Sequence, residues 1–296
     1  MEFRKLNRRE HGRTRELYEA AFPEDGRAFT DYYYEWKTRD NEIFAALDGE
    51  KICGMVHLNP VMLWREGELE KLHYIVAVAT RKEYRHRGVM RRLLSLSEDW
   101  MKEQGETFTF LMPAKEEIYR PFGYRFFCCQ RQGTIQGRKR EGLSLSCRPV
   151  KEENYGELAG FVNEVLKESY RAFVWRDTEY YTRMAREQAC QGGSVWGIYE
   201  AERLLGSFCT EKTGEKSSPV EIREIICRRE EAKGVREALE DFVSGQGVCR
   251  VRGCVPDVAL TEERRKPLYM GKTPGGGISE VSAAELGEDW FVNEVV

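Results

Sequence analysis

Hydrophobic residues recur at two different spacings along this chain, and together they predict a protein with both helices and strands. Apolar side chains fall at helical intervals after Gly88, which commits one face of a helix to a core. These side chains are Val89, Met90, Leu93, Leu94, Leu96 and Trp100. Apolar runs at residues 69–80 and 108–114 predict strands on either side of this helix. The Asp48–Gly49 pair between two further apolar runs favours a tight hairpin turn.

The order of these elements indicates the fold class. Over about the first 135 residues, the predicted order is β-α-α-β-β-β-α-β-α-β. The simplest fold for this order is an α/β (α+β) structure in which helices pack on both faces of a mixed sheet.

The second half of the chain repeats the pattern in a weaker form. After the basic stretch at residues 137–142, strands, a hairpin and helices follow again in a similar order. Where the first half carries Arg-His-Arg-Gly, the second half has Glu230 and Glu231, which would repel a phosphate. We therefore predict tandem domains: a first domain at residues 1–137, a degenerate copy at 138–256 and a C-terminal segment at 257–296.

Composition and charge narrow the class of protein. The 296 residues are 41% hydrophobic and 33% charged, as in a globular protein, and the net charge of −3 argues against a general nucleic-acid binder. The first residues lack the apolar core of a secretory signal, and no apolar run approaches the roughly 20 residues that span a bilayer. Nine scattered cysteines lack metal-type spacing, so we expect reduced thiols in a cytoplasmic protein without a metal site.

The segment Arg85–Met90 carries the clearest candidate chemistry. It opens the predicted helix, where the first N–H groups lack partners within the helix. Gly88 would let a ligand approach the backbone closely, and the flanking arginines would add charge-assisted hydrogen bonds, so a pyrophosphate suits the segment. The segment has neither the Gly-Lys-Ser/Thr of a Walker loop nor three fingerprint glycines. A solvated basic helix start is the alternative.

Four motifs in succession resemble the GCN5-related N-acetyltransferases (GNAT). They are V-x-V-A-T at residues 76–80, E-Y-R-x-R-G-x-M-R-R-L-L at 83–94, FLMPA at 110–114 and EIYRPFGYRFF at 117–127. The last motif, the second copy and the chain end resemble the enhanced-intracellular-survival (Eis-like) branch of that family. Over the second half, the resemblance is one of architecture only.

The chain departs from the family in two places. Met90 stands where most members have glycine or alanine. Longer members of the Eis-like branch also carry a sterol-carrier-like domain, for which only residues 257–296 are left here. That domain is therefore expected to be reduced or absent.

The resemblance implies that the chain binds acetyl-CoA, and it assigns residues to each part of that molecule. Residues at the ends of the predicted strands are expected to bind the acetyl group and the pantetheine arm. Residues at the start of the predicted helix are expected to bind the pyrophosphate. The assigned residues are Val78, Ala79, Thr80, Ala114 and Lys115 for the arm, and Arg85, His86, Arg87, Gly88, Val89, Met90 and Arg91 for the pyrophosphate.

The resemblance also places Tyr119 on the family's general acid. A phenol can protonate a departing thiolate when it lies beside the sulfur. Tyr124 is the rival tyrosine, and we expect it to pack in the core instead.

The catalytic base and the acceptor site are less sharply defined. In the Eis-like branch the terminal carboxylate reaches the site, which here implies Val296; the alternative is an edge strand with no catalytic part. Glu294, Glu24 and Asp25 would form an acidic mouth for a cationic amine, and Trp36 would stack against the substrate. Ordinary surface roles are the alternative for all four.

The sequence thus predicts an acetyl-CoA-dependent N-acetyltransferase that acts on a primary amine. Aminoglycosides, polyamines, small amines and protein lysines all remain open as acceptors. The alternative is a non-catalytic acyl-CoA sensor or partner-binding protein on the same scaffold. We expect no nucleic-acid or membrane partner, and we leave a homo-oligomer open.

Overall fold

A computed structural model describes residues 1–212, 220–274 and 289–294 of the chain. Within these residues the structure has seven α-helices and fourteen β-strands. The helices are α1 (Arg15–Ala21), α2 (Arg27–Glu35), α3 (Val89–Glu103), α4 (Glu116–Tyr119), α5 (Tyr155–Ser169), α6 (Thr178–Cys190) and α7 (Ala232–Phe242). The strands are β1 (Glu2–Lys5), β2 (Glu42–Asp48), β3 (Lys51–Arg65), β4 (Glu68–Thr80), β5 (Thr109–Leu111), β6 (Arg125–Gln136), β7 (Leu145–Pro149), β8 (Ala172–Val174), β9 (Ser194–Glu200), β10 (Arg203–Lys212), β11 (Val220–Cys227), β12 (Val248–Cys254), β13 (Thr261–Lys272) and β14 (Trp290–Phe291).

All fourteen strands belong to one mixed sheet. Its order is β1-β2-β3-β4-β5-β13-β6-β12-β11-β10-β9-β7, and the short strands β8 and β14 pair beside β3. The pairs β4/β5, β11/β12 and β8/β14 are parallel, and the other pairs are antiparallel. The mixed sheet expected from the sequence is therefore confirmed.

The two halves of the sheet repeat one unit. In the first half, the hairpin β3–β4 leads through α3 to β5, which lies parallel to β4. In the second half, the hairpin β9–β10 and strand β11 lead through α7 to β12, which lies parallel to β11. This repetition confirms the tandem arrangement.

Helix α3 packs closely on the first half of the sheet. It buries Val89, Leu93 and Leu94, as its apolar spacing predicts, and also Met101, whereas the predicted Met90, Leu96 and Trp100 are half-buried. A Cβ atom added at Gly54 on β3 would lie 2.7 Å from Val89 Cγ1, so only glycine lets the helix approach this closely. This contact fixes the start of α3 against β3.

Strand β13 is the main element that the sequence pattern did not predict. It pairs with both β5 and β6, although it follows β12 in the chain. Its first half, Thr-Glu-Glu-Arg-Arg-Lys, is exposed and charged and shows no apolar alternation. Strand β5 also differs from the prediction because it ends at Leu111, ahead of Pro113.

Residues 289–294 contact both halves of the molecule. The Asp289 carbonyl accepts hydrogen bonds from the N–H groups of Arg171 and Ala172. Phe291 packs in the core of the second half, and Val292 packs in the core of the first. Residues 289–294 are therefore held by both halves.

The expectation of reduced thiols agrees with the structure. All nine are free thiols, and six of them are buried. None of the described helices is both long enough and apolar enough to cross a membrane.

Candidate active site

The start of α3 presents open backbone to solvent. Gly88 adopts a left-handed conformation with φ of 76°, and no side chain caps the helix. A Cβ atom added at Gly88 would meet no atom within 4 Å. His86 also has a positive φ, 61°, which is uncommon for a residue other than glycine. The first N–H groups of the helix thus face a space that a ligand can enter.

The basic residues around this helix start fall into two groups. Arg81 is tied to the fold, because it pairs with Glu16 at 2.7 Å and donates to the Ile52 carbonyl. Arg85, Arg87 and Arg91 are exposed, and none has an ion pair with a carboxylate in the described part of the chain. The exposed arginines are therefore available to an anion.

Strands β4 and β5 stop pairing in front of this helix start. Their last paired residues are Ile75 and Leu111, whereas β4 continues along β3 as far as Thr80. Among the described strands, none pairs with the β5-facing edge of residues 76–80. Along this edge Val78 and Thr80 are half-buried and Ala79 is buried. Ala114 and Lys115, which follow β5 in the chain, are exposed. The residues predicted for the acetyl and pantetheine arm thus lie beyond the point where the pairing of β4 and β5 ends.

The two candidate tyrosines differ in their hydrogen bonds. Tyr124 is fully buried and donates to Glu98 at 3.0 Å, and Glu98 pairs with Lys272 at 2.7 Å. Tyr119 ends α4, with its ring 6.1 Å from that of Tyr124, and its hydroxyl has no hydrogen-bond partner among the described residues. Burial raises the pKa of Tyr119 to about 12. Tyr119 therefore keeps its proton at neutral pH and has a hydroxyl free for a ligand.

Glu294 contacts residues of both halves of the molecule. Its carboxylate accepts from the Tyr180 hydroxyl at 2.9 Å. Its backbone carbonyl accepts from the hydroxyls of Tyr74 on β4 and Tyr269 on β13. The neighbouring Asn293 donates to Glu224 at 2.9 Å, which fixes the chain direction. Val296, the predicted terminal base, lies outside the described residues.

A cavity of about 210 Å³ opens beside Glu294, between β3, β4 and α6. We call it the acidic cavity; its titratable lining comprises Asp40, Asp177, Glu179, Glu187, Glu294, Lys37, Lys71, Arg183 and Arg223. Burial raises the pKa of Glu187 to about 6. Its hydrogen-bond donor is the Tyr32 hydroxyl, at 3.4 Å. Glu187 was not predicted from the sequence, where its only signal is a carboxylate two helical turns from Tyr180 on a predicted helix.

Three residues predicted for the acceptor site do not line this cavity. Glu24 is exposed to solvent, and Asp25 accepts from the Tyr18 hydroxyl at 2.6 Å. The guanidinium carbons of Arg39 and Arg186 lie 3.8 and 3.6 Å from the ring centroid of Trp36. Two groups this close must lie on opposite faces of the ring. Both faces of the Trp36 ring are therefore covered by guanidinium groups in this structure.

The histidines on the strands are engaged within the fold. His73 pairs with Glu106 at 2.6 Å. His57 is bonded to the Tyr33 hydroxyl at 2.9 Å, and burial lowers its pKa to about 3. His57 is therefore neutral at physiological pH and a weak proton acceptor. No group of three or more metal-ligating side chains occurs in the described ranges.

Residues 2–127 match the family model of the acetyltransferase (GNAT) domain. A comparison with curated proteins finds no match. Among solved structures, the fold is similar to a probable N-acyltransferase from Enterococcus faecalis V583, at 17% identity and a TM-score of 0.72, over 92% of this chain and 72% of that one. It is also similar to Eis1 from Mycobacterium abscessus, at 14% identity and a TM-score of 0.61, over 91% and 73% of the two chains. A tandem GNAT protein from the clavulanic acid biosynthesis pathway matches at 12% identity and a TM-score of 0.60, over 93% and 99%.

The buried carboxyl of Glu187 predicts a specific pH dependence of stability. Its folded pKa of about 6 exceeds the ordinary value of 4.5, so the folded state holds this proton more tightly than the unfolded state. Its contribution to stability is complete below pH 4.5 and is lost as pH rises through 6. Between pH 4.5 and 7.5, ionisation of Glu187 should therefore lower the free energy of unfolding of the wild-type protein by about 2 kcal/mol. Glu187→Gln has no carboxyl at this position and should not show this decrease.

Urea denaturation at both pH values measures this difference. The exposed Glu157→Gln variant is the matched control and should follow the wild-type pH dependence. Equal pH dependence in Glu187→Gln and wild type would show that the carboxyl is not perturbed.

Proposed function

We propose, on the premise that residues 2–127 form a domain of the GNAT acetyltransferase family, that this protein transfers an acetyl group from acetyl-CoA to a primary amine. One observation carries the proposal. The uncapped start of α3 lies beside the edge where β4 and β5 separate, and Tyr119, whose hydroxyl has no hydrogen-bond partner among the described residues, packs in the same core cluster as Val89 at that helix start.

The helix start would hold the pyrophosphate of acetyl-CoA. Its free N–H groups and the positive end of the helix dipole favour an anion, and the exposed arginines add charge-assisted bonds. The open space at Gly88 fits a ligand that touches the backbone. The proposed contacts are Arg85, His86, Arg87, Gly88, Val89, Met90 and Arg91.

The separated strands would hold the rest of the coenzyme. Unpaired N–H groups of β4 around Val78, Ala79 and Thr80 would bind the pantetheine arm and polarise the thioester carbonyl. Ala114 and Lys115, on the other side of the gap, would complete this channel. Because the strands are anchored in the sheet, these donors are positioned before the substrate arrives.

The reaction then needs one transfer of a proton from nitrogen to sulfur. The amine nitrogen forms a bond to the carbonyl carbon, and the carbon–sulfur bond breaks. Tyr119 donates its proton to the departing thiolate, and the proton released by the amine restores the phenol over the full cycle. The products are an amide and free coenzyme A.

The C-terminal segment would supply the acceptor side. In this proposal the terminal carboxylate of Val296 accepts the amine proton, and Glu294 contributes negative charge to the acceptor site. Support comes from the buried contacts that fix the chain up to Glu294. We also propose residues 1–137 as the catalytic domain, 138–256 as the degenerate copy and 257–296 as a segment shared by both, in a protein of the cytoplasm.

Gly88→Glu should weaken acetyl-CoA binding by about 100-fold or more, because a carboxylate would occupy the phosphate position and repel it. Isothermal titration calorimetry measures the affinity. Gly142→Glu is the matched control, since Gly142 also has a positive φ and open space around it. Unchanged affinity in a folded Gly88→Glu protein would overturn the phosphate site.

Tyr119→Phe should lower kcat by about 10²–10³-fold with little change in acetyl-CoA affinity, because the ring remains and the proton is lost. Tyr124→Phe is the control: it should keep its turnover but lose about 1–3 kcal/mol of stability, since Glu98 loses a buried donor. Release of free thiol measures turnover, and denaturation measures stability. The reverse pattern would identify Tyr124 as the acid.

Two extra residues after Val296 should lower turnover by about tenfold or more, because the terminal charge is displaced while every internal contact is kept. Binding of acetyl-CoA should be unchanged, since the helix start lies far from this segment in the chain. Full turnover in the extended protein would reject the terminal base and direct attention to Glu294 or a bound water.

A further inference from the structure

A second cavity, of about 650 Å³, lies over the sheet face formed by β13, β6, β12 and β11. Its size suits a small-molecule ligand. Five cationic side chains and two carboxylates line it: Arg223, Arg250, Arg252, Arg264 and Lys266, with Glu221 and Glu262. We call it the basic cavity.

The carboxylates near the basic cavity are too few for its cations. Glu211, which is buried, pairs with both Arg223 and Arg252. Glu221 pairs with Arg250 and Arg252, each at 3.3 Å. Two carboxylates therefore serve three guanidinium groups, and one positive charge is left over on β11 and β12.

Strand β13 adds two further cations, Arg264 and Lys266, and one carboxylate, Glu262, and so contributes one more net positive charge. Arg264 makes a long contact of 3.5 Å with the Gln132 amide, and no carboxylate partner is found for it in the described ranges. Lys266 has no ion pair among the same residues. On the neighbouring strand, the Nε atom of Arg252 is buried and has no hydrogen-bond partner within the described structure. Like charges on adjacent strands repel one another, and an anion between them would offset this cost.

The basic and acidic cavities adjoin each other. Arg223 lines both of them and is itself buried. On the acidic side, the hydrogen-bond partners of Glu187 and Glu294 are tyrosine hydroxyls rather than cations. A ligand that spanned Arg223 would therefore meet carboxylates on one side and surplus cations on the other.

We propose that the acceptor is an amine that also carries an anionic oxygen group, a carboxylate or a phosphate, which binds against Arg252, Arg264 and Lys266. This inference rests on the proposed acetyl transfer and specifies its acceptor class. The amine end faces Glu187 and Glu294, and the anionic end faces the surplus cations. A polycationic acceptor would place like charge against the basic cavity, so polyamines and aminoglycosides fit this site poorly.

The test compares acceptor probes that differ only in the anionic group. One pair is O-phosphoethanolamine and ethanolamine, and the other is glycine and glycinamide. Calorimetry on the full chain saturated with coenzyme A measures binding, and thiol release with acetyl-CoA measures turnover. At least one anionic probe should bind about tenfold more tightly than its neutral partner. The probe pair with the larger ratio of neutral to anionic dissociation constants identifies the anionic group as phosphate or carboxylate.

Substitutions of residues that line the basic cavity test whether the preference for the anionic probe arises there. Arg264→Gln and Lys266→Gln, both at exposed positions, should each weaken the anionic probe by about tenfold and leave its neutral partner unchanged. In turnover, this loss should appear in KM rather than kcat. Lys151→Gln, an exposed lysine before α5, is the control and should change neither probe.

The outcomes separate this inference from the proposed function. Equal binding within both probe pairs, no binding by either anionic probe, or no effect of the two variants would overturn the anionic acceptor even if acetyl transfer occurs. Anion-selective binding that depends on Arg264 and Lys266 would support the acceptor class even if turnover failed. Failure of acetyl-CoA binding and of thiol release would instead overturn the transferase.

Discussion

The pairing of β13 with β5 on one edge and β6 on the other is the constraint on which the rest of the structure depends. Both strands belong to the first half of the chain, and the strand between them comes from beyond the second half. Buried backbone N–H and C=O groups of β5 need partners, and β13 supplies them. Without this strand the sheet would divide at its centre.

The same strand organises the functional groups on both sides of it. Lys272 pairs with Glu98, which accepts from Tyr124, and it also donates to the Phe122 carbonyl just after α4. These contacts fix the position of the short helix that ends in Tyr119. Tyr269 bonds the Glu294 carbonyl and thereby positions the C-terminal residues. The buried hydroxyl of Tyr269 is tolerated because it donates to the Glu294 carbonyl. The same hydrogen bond specifies where residues 289–294 lie.

The sequence could predict what short-range patterns determine. The apolar spacing of α3 and the glycine before it gave the helix and its open start, because both depend on neighbours a few residues apart. Strand β13 was missed because its charged first half has no apolar face to bury. Glu187 and Arg223 were missed for a different reason: they meet Glu294 only through the tertiary fold, and nothing local sets them apart from other charged residues. The guanidinium neighbours of Trp36 could not be predicted either, because one of them comes from a distant helix.

The place of β13 in the sheet also has a consequence for how the chain folds. Strand β5 ends at residue 111, but its second neighbour begins at residue 261, so the centre of the sheet closes one of the longest loops in the molecule. Such non-local pairing is slow to form, and a ribosome releases the N-terminal half well before the strand that completes it. The first half therefore leaves the ribosome with an exposed strand edge. Strand β5 gains its second neighbour only after residues 261–272 have been synthesised.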